Sequence, residues 1–314
     1  MKLSSGIEKT KRGGNHSRIV EPDMDWLITG GSGQLGIAVS EELDSRGLIF
    51  TALSSNELDI TDNKVVANFI ATNSPRVIVN CAAWTDVDGA ESNEESASKV
   101  NGHGPENLAI AAVAMGSRLI HVSTDYVFSG ESQKPFEIDD QIDPQSAYGR
   151  SKAEGEKKVL TTYPENSYVV RTAWLYSAKG KNFAKVMTRL ALKGNGEVRV
   201  VNDQIGQPTS AVDLANQIVD LGLGVAPAGI FHGTNAGQAS WFEFAQEIFS
   251  LTGADINRVL PVSSSEYPRP AKRPSYSVLS HKEWTKTSIA PMREWKIALA
   301  SVMPEIVATV KSEG

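Results

Sequence analysis

Tyr148 and Lys152 stand four residues apart in the run Ser146-Ala-Tyr-Gly-Arg-Ser-Lys152. On a helix that spacing puts both side chains on one face, one turn apart. A phenol there can give or take a proton, and an ammonium beside it stabilises the phenolate and lowers its pKa. Taken alone, Tyr-x-x-x-Lys is a common helix-surface spacing. Here Gly30-Gly-Ser-Gly-Gln-Leu-Gly36 precedes it, and Ser123-Thr124-Asp125 lies between the two. That order makes the pair a candidate oxidoreductase site.

Gly30, Gly33 and Gly36 follow the apolar run Trp26-Leu-Ile-Thr29 and open a helix, the context a dinucleotide site requires. The first glycine permits a tight turn, the second lets amides approach a pyrophosphate, and the third lets helix and strand pack closely. Gln34 and Leu35 complete the turn, where the helix N-terminus faces negative charge. The plainer reading is a strand-to-helix turn without a ligand. An acid at the end of the second strand would bind a ribose 2′-hydroxyl. After Leu53 come Ser54 and Ser55, neither acid nor arginine, which favours NADPH with NADH as a substitute. Asp59 and Ile60, further along, are expected near the adenine.

These residues need a scaffold, and the pattern supplies one. Apolar strands at 48–53, 76–80, 118–123 and 167–171 alternate with helices at 37–46, 61–72 (capped by Thr61), 96–115 and 148–162. Strands apolar throughout and alternating with helices imply an α/β fold, a Rossmann-type doubly wound parallel sheet covered on both faces. Beyond Ala173 the rhythm loosens: helices are read at 182–192, 211–223 and 240–251, and a strand at 197–201. The expected division is a dinucleotide-binding domain at 25–173, with 198–223 packing back on it. A smaller α/β substrate domain is expected from 174–197 and 224–314.

A chain of 314 residues holds one large or two modest domains. The net charge of −6 argues against a sequence-independent nucleic-acid surface. No apolar run approaches a membrane span. Cys81 is the only cysteine, so no internal disulfide or cysteine-based zinc site forms, and a lone thiol suits a reducing cytoplasm. His103, His121 and His232 have no metal-ligand spacing. Residues 1–24 are polar and basic without a signal-peptide core, and read as a disordered extension.

Four stretches occur in order: the glycine turn, Asn80-Cys-Ala-Ala-Trp-Thr-Asp-Val-Asp-Gly-Ala-Glu91, Ser123-Thr-Asp-Tyr-Val-Phe128 and Tyr148-Gly-Arg-Ser-Lys152, of which the first two and the Tyr-x-x-x-Lys resemble the extended short-chain dehydrogenase/reductase superfamily. Arg171-Thr-Ala-Trp-Leu-Tyr176, Asn182-Phe-Ala-Lys185, Asn202-Asp-Gln-Ile-Gly-Gln-Pro-Thr209 and Pro270-Ala-Lys-Arg-Pro274 continue the series. From about Met24 to Trp295 the chain resembles the dTDP-4-dehydrorhamnose reductase family, the last two stretches most specifically.

The resemblance implies reduction of the C4 ketone of a dTDP-linked 6-deoxy-4-hexulose, giving dTDP-L-rhamnose for surface polysaccharide. Tyr148 would donate the proton, Lys152 would hold the tyrosine and the cofactor ribose, and Thr124 would orient the reacting oxygen. Ala83, Trp84 and Thr85 would line the cofactor. Asp125 and Trp174 match substrate contacts, Asp88 would lie near the pocket, and Arg269 and Arg273 would pair with the diphosphate. Some relatives bind magnesium at a subunit interface through a glutamate matched here by Ala38, which puts that metal and that dimer in doubt. A dTDP-sugar is the implied partner, without nucleic acid or membrane, and a homodimer is allowed. Two other readings stay open. One is a sugar-nucleotide epimerase or dehydratase of the same superfamily. The other is a non-catalytic regulatory subunit resembling that of methionine adenosyltransferase.

Overall fold

A computed structural model describes residues 25–313. The extension expected at 1–24 lies outside the described residues. The first half runs β1 (Trp26–Thr29), α1 (Gln34–Ser45), β2 (Phe50–Leu53), α2 (Asn63–Asn73), β3 (Val77–Asn80), α3 (Val87–Ala90) and α4 (Glu94–Ser98). A π-helical turn (Lys99–His103), α5 (Gly104–Met115), β4 (Arg118–Thr124), α6 (Ala147–Thr162) and β5 (Ser167–Thr172) follow. Then come β6 (Leu175–Tyr176), α7 (Phe183–Lys193), β7 (Val198–Val201), β8 (Ile205–Gly206), β9 (Thr209–Ser210) and α8 (Ala211–Leu223). The chain closes with β10 (Gly229–His232), β11 (Ala239–Ser240), α9 (Trp241–Thr252), β12 (Val259–Val262) and α10 (Trp295–Ser312).

Six parallel strands form the main sheet in the order β10-β5-β4-β3-β1-β2. Successive strand residues point to opposite faces, and here both faces are dry. Trp26 and Ile28 of β1 join Val77 and Val79 of β3 in the core beneath α1 and α8. Leu27 and Ile78, between them, face the opposite core, with α2, α5 and α6. This double burial is why the strands read as unbroken apolar runs. The order reverses between β1 and β3, and ligands bind at the carboxyl edge of such a switch point. A third core gathers α7, α9 and α10 over the paired strands β7 and β12.

Several elements depart from the sequence reading. The helix expected over 96–115 is two helices joined by the π-helical turn, where Gly102, Gly104 and Pro105 weaken regular hydrogen bonding. Asp62, not Thr61, caps α2, its carboxylate accepting from the Lys64 and Val65 amides, while the Thr61 hydroxyl bonds Asp59. Residues 229–232, expected with the smaller unit, pair with β5 at the sheet edge instead. α10 escapes the sequence reading because Pro304 lies inside it. Among the described residues no helix is long and apolar enough to cross a membrane.

Candidate active site

The glycine turn joins β1 to α1 at the carboxyl edge. A Cβ on Gly30 would lie 2.6 Å from the Ala82 nitrogen, and one on Gly36 would lie 2.3 Å from the Gly30 carbonyl. No side chain fits either place, so strand, turn and helix close onto one another. Gly33 caps α1 from its backbone alone. Among the described residues no side chain caps that helix, and its first turn carries no acid. Its first amides therefore remain open to an anion. A cleft of 640 Å³ begins here and runs along the sheet edge past Gln34, Leu35, Asp59, Ile60, Ala83 and Thr85. Deeper in, the hydroxyls of Ser123 and Thr172 and Asp125 Oδ2 are buried without a hydrogen-bond partner among the described residues, and all three residues line the cleft. Open amides at one end and unpaired polar atoms at the other fit a polar, elongated ligand such as a nicotinamide dinucleotide.

Tyr148, Lys152 and Thr124 converge at the inner end of this cleft. Ser146 caps α6 and fixes where it starts, which sets the faces of both Tyr148 and Lys152. The Tyr148 hydroxyl meets the Thr124 side chain. Thr124 Oγ1 donates to Asp125 Oδ1 at 2.9 Å. Tyr126 packs edge-on against the Tyr148 ring, with centroids 5.5 Å apart.

Burial pushes the Tyr148 phenol up to about 12, with the Thr124 hydrogen bond opposing. The sequence led us to expect Lys152 to lower it. Instead Lys152 is itself buried, its ammonium donates to the Val122 carbonyl at 2.6 Å, and burial pulls its pKa down to about 8 against the pull of Glu156 and Cys81. Burial likewise lifts the Asp125 carboxyl to about 6. The resting arrangement is a protonated phenol next to a hydroxyl, with an ammonium one turn away.

A second cleft, of 780 Å³, adjoins the first and shares Tyr126 and Trp174 with it. Asp88, Arg269 and Arg273 all line it. Arg273 donates to Asp88 at 2.9 Å, and the Ala271 amide donates to Asp88 at 3.2 Å. Burial would raise the Asp88 carboxyl, but these bonds hold it below its ordinary value. Trp174 sits at the junction with φ of 45°, a conformation costing a bulky residue about 1–3 kcal/mol. Its ring stacks on Trp241 at 3.5 Å.

One expected cofactor contact lies elsewhere. Trp84 turns its ring away from the cleft onto Ala90, Ala97 and Ala147, and its indole donates to the Asp86 carbonyl. Its neighbours Ala83 and Thr85 line the cleft in its place. Ala38 lies on the buried face of α1, packed in the core. Among the described residues no group of three or more His, Cys, Asp and Glu side chains is disposed to hold a metal. Sequence reasoning missed Tyr126, Trp241 and Arg199, which line the second cleft. Tyr126 sits in the quoted Ser-Thr-Asp-Tyr run and could have been found there. Trp241 and Arg199 carry no local signal.

The RmlD substrate binding domain family matches residues 24–308. The chain is 46% identical over 289 residues to dTDP-4-dehydrorhamnose reductase from Streptomyces griseus, covering 91% of this chain and 95% of that protein. It is 43% identical over 286 residues to a probable dTDP-4,6-dihydroxy-2-methyloxan-3-one 4-ketoreductase from Streptomyces antibioticus, covering 91% and 96%. Among solved structures, dTDP-4-dehydrorhamnose reductase from Bacillus anthracis str. Ames in complex with NADP aligns with a TM-score of 0.85. That pair is 37% identical and covers 89% of this chain and 98% of the other. The match spans nearly every described residue and takes in the open glycine turn and the Tyr148, Lys152 and Thr124 cluster of the first cleft, so this chain belongs to the RmlD substrate binding domain family.

Proposed function

We propose that the protein reduces the C4 ketone of dTDP-4-dehydro-L-rhamnose to dTDP-L-rhamnose with NADPH, NADH serving as a substitute. The observation that carries this reading is Tyr148, half-buried and protonated, lining the first cleft with Thr124 and edge-on to Tyr126, which both clefts share. A bound nicotinamide supplies hydride to C4. Tyr148 gives its proton to O4 as negative charge develops there, and Thr124 orients that oxygen. Lys152, tethered to Val122, keeps a positive charge beside the phenol. Gly30, Gly33, Gln34, Leu35 and Gly36 take the pyrophosphate side of the cofactor, and Asp59 and Ile60 its adenosine end.

The dinucleotide unit supplies the first cleft, and the smaller unit supplies most of the second. Arg269 and Arg273 there meet the substrate diphosphate, and Trp174 and Asp125 meet the sugar side. The Streptomyces antibioticus relative is named for reducing a different dTDP-linked ketone, so the test includes more than one sugar. Purified protein should oxidise NADPH in step with dTDP-4-dehydro-L-rhamnose, one cofactor per ketone. Folded protein that binds NADPH but oxidises neither cofactor with this sugar would sink the reading. Faster turnover of another 4-keto dTDP-sugar would reassign the substrate within the same chemistry. An epimerase or dehydratase would regenerate its cofactor and consume none in net terms.

A further inference from the structure

Lys181 has no part in the chemistry above, yet it lines the first cleft with Gly30, Ser32, Gly33 and Gln34. It lies in the loop between β6 and α7, 147 residues along the chain from Gln34. The side chain of Gln34, the first residue of α1, ties that loop down. Its Oε1 accepts from Asn182 Nδ2 at 2.8 Å, and its Nε2 donates to the Lys181 carbonyl at 3.3 Å. Asn182 Oδ1 in turn accepts from the Lys185 amide at 3.0 Å and caps α7. One side-chain amide thus joins the first turns of two helices. Gly180 permits the close approach: its φ is 69°, and a Cβ there would lie 2.8 Å from Gln34 Cγ.

This placement sets like charge beside like. The N-terminus of a helix carries a partial positive charge, and α1 has neither an acid in its first turn nor a side-chain cap. An ammonium brought next to it is repelled unless negative charge stands between them. Lys179, two residues earlier, pairs with Glu305 at 3.6 Å, whereas Lys181 forms no ion pair among the described residues. The other charged residues lining the cleft are Asp59, Asp125 and Lys152. Asp59 already accepts from the Thr61 amide and hydroxyl, and Asp125 is buried at the inner end. A diphosphate between the α1 amides and the Lys181 ammonium would satisfy both with charge-assisted bonds.

We infer that Lys181 binds the pyrophosphate of the nicotinamide dinucleotide, and that Gln34 is a positioning residue that holds it there. This rests on the reading of the first cleft as the cofactor site. Two other phosphates share the chemistry. The sugar diphosphate is the poorer match, because Lys181 does not line the second cleft. A cofactor 2′-phosphate would lie at the adenosine end with Asp59, whereas Gln34 holds Lys181 at the glycine turn.

The test uses the full chain and the variants Lys181→Gln, Lys181→Arg, Gln34→Ala and the Gln34→Ala/Lys181→Gln double, with folding checked by circular dichroism. NADPH and NADH are titrated separately by fluorescence. Lys181→Gln should weaken both by about tenfold, the loss of one charge-assisted bond, and Lys181→Arg should stay within about twofold of the unaltered protein. With cofactor saturating, the sugar KM should hold. Gln34→Ala should weaken both cofactors less than Lys181→Gln, and the double variant should fall short of the product of the single losses. Added salt should weaken cofactor binding more steeply in the unaltered protein than in either single variant. Unchanged affinity for both cofactors in folded Lys181→Gln would overturn the assignment. So would a loss confined to NADPH, which marks the 2′-phosphate, or a raised sugar KM with cofactor binding intact, which marks the sugar diphosphate. An unaltered salt dependence in folded Gln34→Ala would overturn its positioning role. Lys181 is exposed, so its variants decide the assignment even where Gln34→Ala does not fold. Unaltered protein that binds cofactor but reduces no ketone sinks the reduction reading instead, and the same titrations still judge Lys181. Binding of neither cofactor overturns both.

Discussion

A proton donor must hold its proton until the step that uses it. Burial keeps the Tyr148 phenol near 12, so it is loaded throughout the neutral range. Tyr148→Phe should lower kcat by about 10²–10⁴-fold while NADPH still binds, which a turnover assay paired with a binding titration will read. Lys152 titrates closer to working conditions. It is charged below about 8 and loses its proton above, so kcat/KM should fall as pH rises through that value in a pH–rate profile. Stability runs the other way. The folded value, about 8, lies below the ordinary 10.5, so between them the unfolded chain binds more protons and stability rises with pH. Lys152→Met should remove most activity without lowering the thermal midpoint, because a buried charge is lost along with its function. The residue types and their order were legible in the sequence. The direction of the Tyr148 shift was not, since desolvation depends on what surrounds the ring.

At the scale of elements, α6 must keep its register on the sheet for Tyr148 to meet Thr124. Arg171 of β5 fixes it. The guanidinium is fully buried, donates to Glu156 of α6 at 2.8 Å, reaches the Ile138 carbonyl and lies 4.9 Å over the Phe128 ring. Glu156→Ala would strand that charge and should cost about 3–5 kcal/mol in urea unfolding. Arg171 is visible in the sequence as the end of a strand. Its partner is not, because nothing local marks Glu156 as inward-facing. The break near Lys99 is different: Gly102, Gly104 and Pro105 are written in the sequence, but the alanine-rich stretch around them reads as one helix.

Across the whole molecule, the two clefts meet at Tyr126 and Trp174, and the 268–274 segment walls the second. The Asp88–Arg273 ion pair, at 2.9 Å, joins two walls of the second cleft. A diphosphate there would take Arg273 with charge-assisted bonds. Arg273→Ala should raise the KM for the dTDP-sugar by about tenfold to a hundredfold, the worth of one such bond. NADPH affinity should stay unchanged, and steady-state kinetics in each substrate will separate the two.

What the sequence determined by itself was whatever is written in neighbouring residues: unbroken apolar strands buried on both faces, the glycine turn, and Tyr148 one helical turn from Lys152. Tertiary structure decided everything that depends on residues far apart in the chain. It turned the Trp84 ring out of the cleft, stacked Trp174 on Trp241, returned residues 229–232 to the sheet, and shifted the Tyr148 and Lys152 pKa values by desolvating them. Periodicity is a local property of the backbone, whereas desolvation and contact are properties of the packed chain.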